Sequence, residues 1–470
     1  MDSEACTTII VGSKMSADGS MMYTRSDDSS SYKATKLMYY PETDHGPEEF
    51  VAIDSPFRCK LPPKRLGFSA LERAELPYHW GEAGFNSLGV SMSATETIFS
   101  SAEVLKHDPY VESGIGENCV FQITIPYVKT AREGVERLGA LIEEHGSAEG
   151  FGIAFMDSKE IWYLENAGGH RYLACKIPDD VYYVSGNQSR YRVFDPNDKE
   201  NFIASKDLIP WAMEKGIHAP TNSPFDFHES YSLESQKDKT YNYPRVWYLQ
   251  KFFTPSVETD VNSNKFPIFQ KADKPISVDD MRIAMRSHYD GTEHDPYLHE
   301  NLKEPYRPVS IFRTINTHIL QIRPNLPIEI GCLDYMAMGF ADLSIYLPLY
   351  QGVKSYPPQY SEGLKHSTQG SAYWTFRKVM TLGMLDYNKY APIIKKAYKE
   401  LEDENDKKQV EMEAEFLRLH KESPEKATQM LQEWSDAVLN KALHRAEELI
   451  EELFTLVTAD VEIKYKFAGA

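Results

Sequence analysis

The sequence predicts an α+β fold, in which antiparallel strands pack with helices in one large domain that continues into a mainly helical C-terminal part. Three stretches carry this expectation. Residues 150–190 alternate apolar and polar side chains between the turn signals DSKE, AGGH and PDD, the period of antiparallel strands. Residues 130–146, TAREGVERLGALIEEHG, set Val135, Leu138, Leu141 and Ile142 on one helical face, with Gly146 as a stop. Residues 372–454 read as helix almost throughout.

Taken in order, TTIIVG (7–12) and SMMYTRS (20–26) form a hairpin across the turn residues SADGS. A strand is expected from Gly89, after the Gly/Asn turn of GEAGFNSLG. Strands follow at 151–156, 160–166 and 170–176, consecutive and antiparallel, with a fourth near 181–185. Residues 195–310 are polar and Pro-rich, with short helices around 204–215, 241–253 and 278–288. HILQIRP (318–324) and EIGCLDYMA (329–337) return to strand. The stretch 393–422 carries dense opposite charges and few large apolar residues, so it reads as a solvated helical hairpin or lever.

A chain of 470 residues, 41% apolar and 26% charged, has ample core for a globular fold. A formal charge of -19 argues against nucleic acid and against an anionic membrane surface. Asp2 and Glu4 precede only a short apolar stretch ending at Val11, unlike a secretory signal, and no apolar run approaches a membrane span. Five widely spaced cysteines (Cys6, Cys59, Cys119, Cys175 and Cys332) suit neither a disulfide scaffold nor a structural zinc site, and a reducing cytoplasm is expected. A homo-oligomer is expected as well.

Familiar catalytic motifs are missing: there is no G-x-G-x-x-G, P-loop, G-x-S-x-G or H-E-x-x-H. SGIGENC (113–119) reads as a loop. RSHYDGTEHDPYLHE (286–300) gathers His288, Asp290, His294, Asp295, His299 and Glu300. These are metal-ligand types, but without ligand spacing they serve equally as turn formers, and no metal or cofactor is expected. Cys6 differs. A strand cysteine is ordinarily a small buried hydrophobe, yet this one lies five residues into the chain, at the head of a strand. If Gly12 faces Ser20 across the turn, Cys6 lies opposite Ser26, with Arg25 and Asp28 roughly 3–7 Å away along the strand. Arg25 would favour the thiolate. Were residues 1–5 removed, the freed α-amino group, with a pKa of about 7.7–8.0, could serve as base.

The ordered pieces ACTTIIVG, DGS, RSDD, GVSMSATET, TAREGVE, WYLENAGGHRYLA, PDDVYYVSGNQ, NYPRVW, HYDGTEHDPY and SAYWTFR, from about residue 5 to 377, resemble the cysteine dipeptidases of the dipeptidase A type. These are N-terminal-nucleophile hydrolases related to secernins and more distantly to penicillin V acylases and bile salt hydrolases. The resemblance implies a four-layer αββα sandwich of two antiparallel sheets. It implies a leader at 1–5 lost by self-cleavage, a catalytic domain at 6–380, a helical extension at 381–470, and broad hydrolysis of dipeptides. It makes Cys6 the nucleophile and its α-amino group the base, with Arg25 and Asp28 holding that amine and the substrate. Asn187 would donate to the oxyanion, and Thr95 and Glu96 would lie in the substrate pocket. Ser26 stands where the family has Asn, and Leu333 and Asp334 where an aromatic is expected nearby. The residues also allow plainer roles: Arg25–Asp28 as a structural ion pair, Asn187 as a turn cap, Glu96 as surface. Two other functions stay open, a non-peptide acyl-amide hydrolase on the same fold and a non-catalytic, secernin-like interaction protein.

Overall fold

The computed structural model describes residues 5–76, 79–218, 224–299, 302–303 and 305–464. Residues 1–4 of the expected leader, Glu300 and residues 465–470 lie outside the described residues.

Two antiparallel sheets lie face to face. The first has seven strands in the order Phe269–Gln270, Tyr182–Ser185, Ala5–Val11, Met21–Asp28, Thr314–Ile322, Cys332–Met338 and Leu347–Tyr350. The second has eight, in the order Phe202–Ala204, Arg171–Lys176, Ile161–Ala167, Phe151–Met156, Ser91–Thr97, Gly81–Phe85, Phe68–Arg73 and Thr35–Tyr40. Alternation decides which side chains meet. Ile10, Tyr23 and Leu320 of the first sheet join Leu71, Phe85, Met156 and Leu173 of the second in the central core. The opposite face of the first sheet, with Ile9, Met22 and Ile319, is covered by the helices Tyr243–Phe253 and Val278–Arg286. The opposite face of the second, with Met92, Phe155 and Trp162, is covered by Glu117–Thr124 and Ala131–His145. This is the four-layer αββα sandwich.

The helix expected at 130–146 forms as Ala131–His145, with Thr130 Oγ1 capping its start and Gly146 ending it at φ 75°. SGIGENC is only partly loop, because a helix begins at Glu117. The fourth strand of the 150–190 series departs from its neighbours. Tyr182–Ser185 leaves the second sheet and pairs with Ala5–Val11 in the first, Thr8 opposite Ser185. Alternation alone cannot reveal that change of sheet.

The hairpin register also differs by one residue from the expected pairing. Cys6 lies opposite Asp27, Ala5 opposite Asp28 and Thr8 opposite Arg25. The turn holds one residue more than assumed, and a one-residue slip exchanges the faces. Cys6, Arg25 and Asp27 therefore share the inner face with Ile10 and Tyr23, while Asp28 sits on the helix-covered face.

The C-terminal helices are Ala372–Gly383, Tyr387–Glu422 and Pro424–Lys464. The charged stretch 393–422 is no hairpin by itself but part of the single helix Tyr387–Glu422, packed against Pro424–Lys464, and it is not fully solvated. Arg282 reaches Asp406 at 2.7 and 3.0 Å, and Arg323 reaches Glu413 at 2.8 and 2.7 Å. Buried Glu402 takes Arg286 Nη1 at 3.1 Å and the Tyr346 N–H at 2.7 Å. Carboxylates at 402, 406 and 413 share a helical face and dock it onto arginines of the body.

Candidate active site

The thiol of Cys6 is buried, 1% exposed. It donates to the Thr95 carbonyl at 3.1 Å and accepts from Arg25 Nη1 at 3.1 Å. Arg25 Nη1 also reaches the Thr95 carbonyl at 2.9 Å, and Arg25 Nε donates to Ser93 Oγ at 3.1 Å. Ser93 Oγ lies 2.7 Å from His318 Nε2, and His318 Nδ1 lies 3.1 Å from Asn316 Oδ1. Burial, and then Arg25, push the His318 pKa well below its ordinary value. The imidazole is neutral. It donates from Nδ1 to Asn316 and accepts from Ser93, so the arginine's orientation is fixed from behind. Burial pushes the Cys6 pKa well up, while Arg25 pulls it down and Asp27, Asp28 and Glu117 push it up.

The Cys6 N–H donates to Asn187 Oδ1 at 3.1 Å. Asn187 is held in the left-handed region, φ 63°, a conformation that asparagine tolerates better than most residues. Its own N–H donates to Glu96 Oε1 at 2.7 Å, and its Nδ2 donates to the Thr97 carbonyl at 3.1 Å. Glu96 is fully buried rather than a surface group. It accepts from Ser185 Oγ at 2.6 Å and from Tyr163 OH at 2.8 Å. Glu165 completes the support of this turn, accepting from the Arg190 N–H at 2.8 Å and from Ser189 Oγ at 2.5 Å. Burial pushes the Glu165 pKa up to about 7.

Asp28 does not pair with Arg25. Its Oδ2 takes Arg307 Nη2 and Ser26 Oγ, the latter at 3.1 Å, and its Oδ1 takes Thr314 Oγ1 at 2.5 Å. Ser26 Oγ in turn accepts from the Thr7 N–H at 3.1 Å, so this serine ties the first strand to Asp28. Thr95 Oγ1 donates to Glu117 Oε1 at 3.0 Å.

The residue that sequence reasoning left without a role is Arg245. Its Nη1 donates to the Cys6 carbonyl and to Thr7 Oγ1, the latter at 2.9 Å. Its Nη2 donates to Gly186 O at 2.9 Å, Asn187 Oδ1 at 2.9 Å and Asn242 Oδ1 at 2.8 Å. The signal for it was present, because Arg245 sits in the buried helical stripe of Val246, Leu249 and Phe253. A charge in such a stripe is rarely left unpaired.

His288 belongs to a separate, satisfied cluster, with Nδ1 3.0 Å from Asp295 Oδ1 and Nε2 2.9 Å from Tyr387 OH. Among the described residues, no group of three or more His, Cys, Asp or Glu is arranged to hold a metal ion. Nor is any helix among them long and apolar enough to cross a membrane.

Known proteins resemble this chain over most of its length. A "Probable dipeptidase" of Salmonella dublin is 46% identical over 362 residues, covering 76% of this chain and 84% of that one. A "Probable dipeptidase A" of Streptococcus pyogenes is 35% identical over 463 residues, covering 96% and 99%. Among solved structures, a mutant conjugated bile acid hydrolase of Clostridium perfringens aligns at 10% identity and a TM-score of 0.29, over 71% of this chain and 89% of its own, a likeness too slight to carry an argument. The profile of Peptidase family C69 matches residues 5–400, a span that opens one residue before the thiol and takes in Arg25, Asn187, Arg245 and Arg307. With every group around Cys6 inside that span, the chain belongs to peptidase family C69.

Proposed function

We propose that this chain is a cysteine dipeptidase whose nucleophile is Cys6, made competent by removal of residues 1–5. The observation that carries this reading is the clamp on the thiol, with Arg25 Nη1 and the Thr95 carbonyl on its sulfur and Asn187 on its nitrogen. The names of the relatives support the substrate class.

In the uncleaved chain the thiol is sealed and its nitrogen is an amide. Hydrolysis of the Ala5–Cys6 bond removes buried Ala5 and leaves an α-amine with a pKa of about 7.7–8.0, which can take the thiol proton near neutrality. The thiolate attacks the scissile carbonyl, the ammonium passes its proton to the leaving amine, and water hydrolyses the thioester. Asn187 and a backbone N–H near Thr95 hold the oxyanion. That role requires the Asn187 NH₂, now on Thr97, to turn toward the thiol. Asp28 holds the amine end of the strand through Ser26, and Glu96 fixes the Asn187 turn from below. The steps close on a thiol and an amine without a metal.

The test is N-terminal sequencing and intact mass of purified active protein, together with a dipeptide panel. The expected protein begins at Cys6, hydrolyses dipeptides after EDTA treatment, and is inactivated by iodoacetamide at Cys6. Full activity in a chain that retains residues 1–5 overturns the processing step. Activity lost to chelation and restored by zinc overturns the thiol mechanism.

A further inference from the structure

Two buried polar atoms of opposite charge lie on the inner face beside the thiol without hydrogen-bond partners among the described residues: Arg25 Nη2 and Asp27 Oδ2. Asp27 is 2% exposed and directly opposite Cys6 in the hairpin, where facing Cβ atoms are about 4.5–5.5 Å apart. The nearest cation to Asp27 Oδ2 is Arg73 Nη2 at 3.6 Å, too far for a hydrogen bond. Arg73 thus makes only a long ion pair with Asp27, its Nε bonding Glu82, which Asn316 Nδ2 also holds at 2.7 Å. Arg25 cannot swing to Asp27, since Ser93, Cys6 and the Thr95 carbonyl hold its other nitrogens. A buried carboxylate oxygen with no donor is costly. Here it persists beside the Cys6 thiol, on a carboxyl that shares a hydrogen bond with Glu82, and a further donor reaching Oδ2 would satisfy it.

We propose that Asp27 is the anchor for the free α-ammonium group of the substrate, and so confines the enzyme to peptides with an unblocked N terminus. This rests on the dipeptidase reading given above. In a dipeptide the ammonium is attached to the carbon next to the scissile carbonyl. An attack by Cys6 therefore brings it beside the residue that faces Cys6 across the hairpin. Burial, and the charge and hydrogen bond of neighbouring Glu82, raise the Asp27 pKa, while Arg73 and Arg25 lower it. A peptide amine with a pKa of about 8 brings a proton of comparable affinity, so a carboxyl with a neutral amine and a carboxylate with an ammonium are the same bound pair. Asp28, one residue along, cannot take this role, because its oxygens are filled by Arg307, Ser26 and Thr314 on the other face.

The experiment compares dipeptides with their desamino counterparts, such as L-alanyl-L-alanine against N-propionyl-L-alanine, on native protein and on Asp27→Asn, with processing checked by intact mass. Native protein should prefer the free amine. In Asp27→Asn, kcat/KM on dipeptides should fall roughly 10–100-fold, the range for a lost charged hydrogen bond, with desamino turnover within about threefold of native. An equal fall on both substrates overturns the anchor, because Asp27 would then serve the thiol or the Cys6 amine. No fall on either, or a native enzyme indifferent to the amine, overturns it too. Should Asp27→Asn fail to process, calorimetry on leader-free Cys6→Ala decides. The anchor requires tighter binding of L-alanyl-L-alanine than of N-propionyl-L-alanine, and loss of that difference when Asp27→Asn is added. Correctly processed native protein inert to every dipeptide is the separate failure of the dipeptidase reading, and the anchor falls with it.

Discussion

Asp27 and Asp28 are adjacent, both buried and both carboxylates, yet their surroundings are opposite. Asp28 faces the helical layer and takes three side-chain donors, one of them the guanidinium of Arg307. Asp27 faces the other sheet, and among the described residues its Oδ2 takes none. Strand alternation divides them, with Asp28 closing a structural joint and Asp27 left facing the thiol. A saturated charge tells of architecture. An unsaturated one next to the proposed nucleophile tells of a molecule still to arrive, and the nearer carboxylate in sequence pattern is not the nearer one in chemistry.

The largest expected effect removes the group that both carboxylates attend. Cys6→Ala should abolish dipeptide turnover with the fold intact by circular dichroism, and Cys6→Ser should leave only a trace, because a hydroxyl is far less readily ionised than a thiol. Retention of substantial activity in Cys6→Ala would move the chemistry elsewhere. Next comes Asp28→Asn in a leader-free chain. It should lower kcat by about 10²–10⁴ through the amine it orients. It should also cost about 3–5 kcal/mol of stability in urea, because Arg307 is left as a buried charge without its carboxylate. Asp27→Asn sharpens the contrast, because its melting temperature should hold or rise. If the two variants lose stability equally, the distinction between saturated and unsaturated carboxylates fails. The smallest effect concerns Glu165. Its pKa is raised from 4.5 to about 7 by burial, so the folded chain holds a proton that the unfolded chain releases. The corresponding stability, of order 3 kcal/mol, is fully present below pH 4.5 and is lost as pH rises to about 7. Urea midpoints from pH 4 to 8 should show that slope reduced in Glu165→Gln, and an unchanged slope would mean that Glu165 is ionised throughout.

Much of the fold was legible in the sequence because the periods were clean. The strands near 151, 161 and 171 and the helix at 131 fall within a residue or two of their expected positions. What was not legible is of another kind. The hairpin register turned on a single residue in the 12–20 turn, and with it the face on which Asp27 and Asp28 lie. Ser185 changes sheet with no local signal, since alternation is the same in either sheet. Glu96 could be read as pocket or as surface, because a lone carboxylate in sequence does not show the Asn187 N–H, Ser185 hydroxyl and Tyr163 hydroxyl that gather on it. Cys6, Arg25, Thr95 and Asn187 do meet, across 181 residues of chain between the thiol-bearing residue and its asparagine. Arg245 was visible as a charge in an apolar stripe, but its partner, the Cys6 carbonyl, belongs to the backbone and leaves no trace in sequence.

The change of sheet at Tyr182–Ser185 has a temporal side. A ribosome that has emitted the first hundred residues has released Cys6, Arg25 and Thr95, but not Asn187, Arg245 or Arg307. Nor can the first sheet then exist, since the hairpin's two flanking neighbours, Tyr182–Ser185 and Thr314–Ile322, are still unsynthesised. Contacts of such long sequence separation close late. Cys6 is therefore among the last residues to acquire its surroundings.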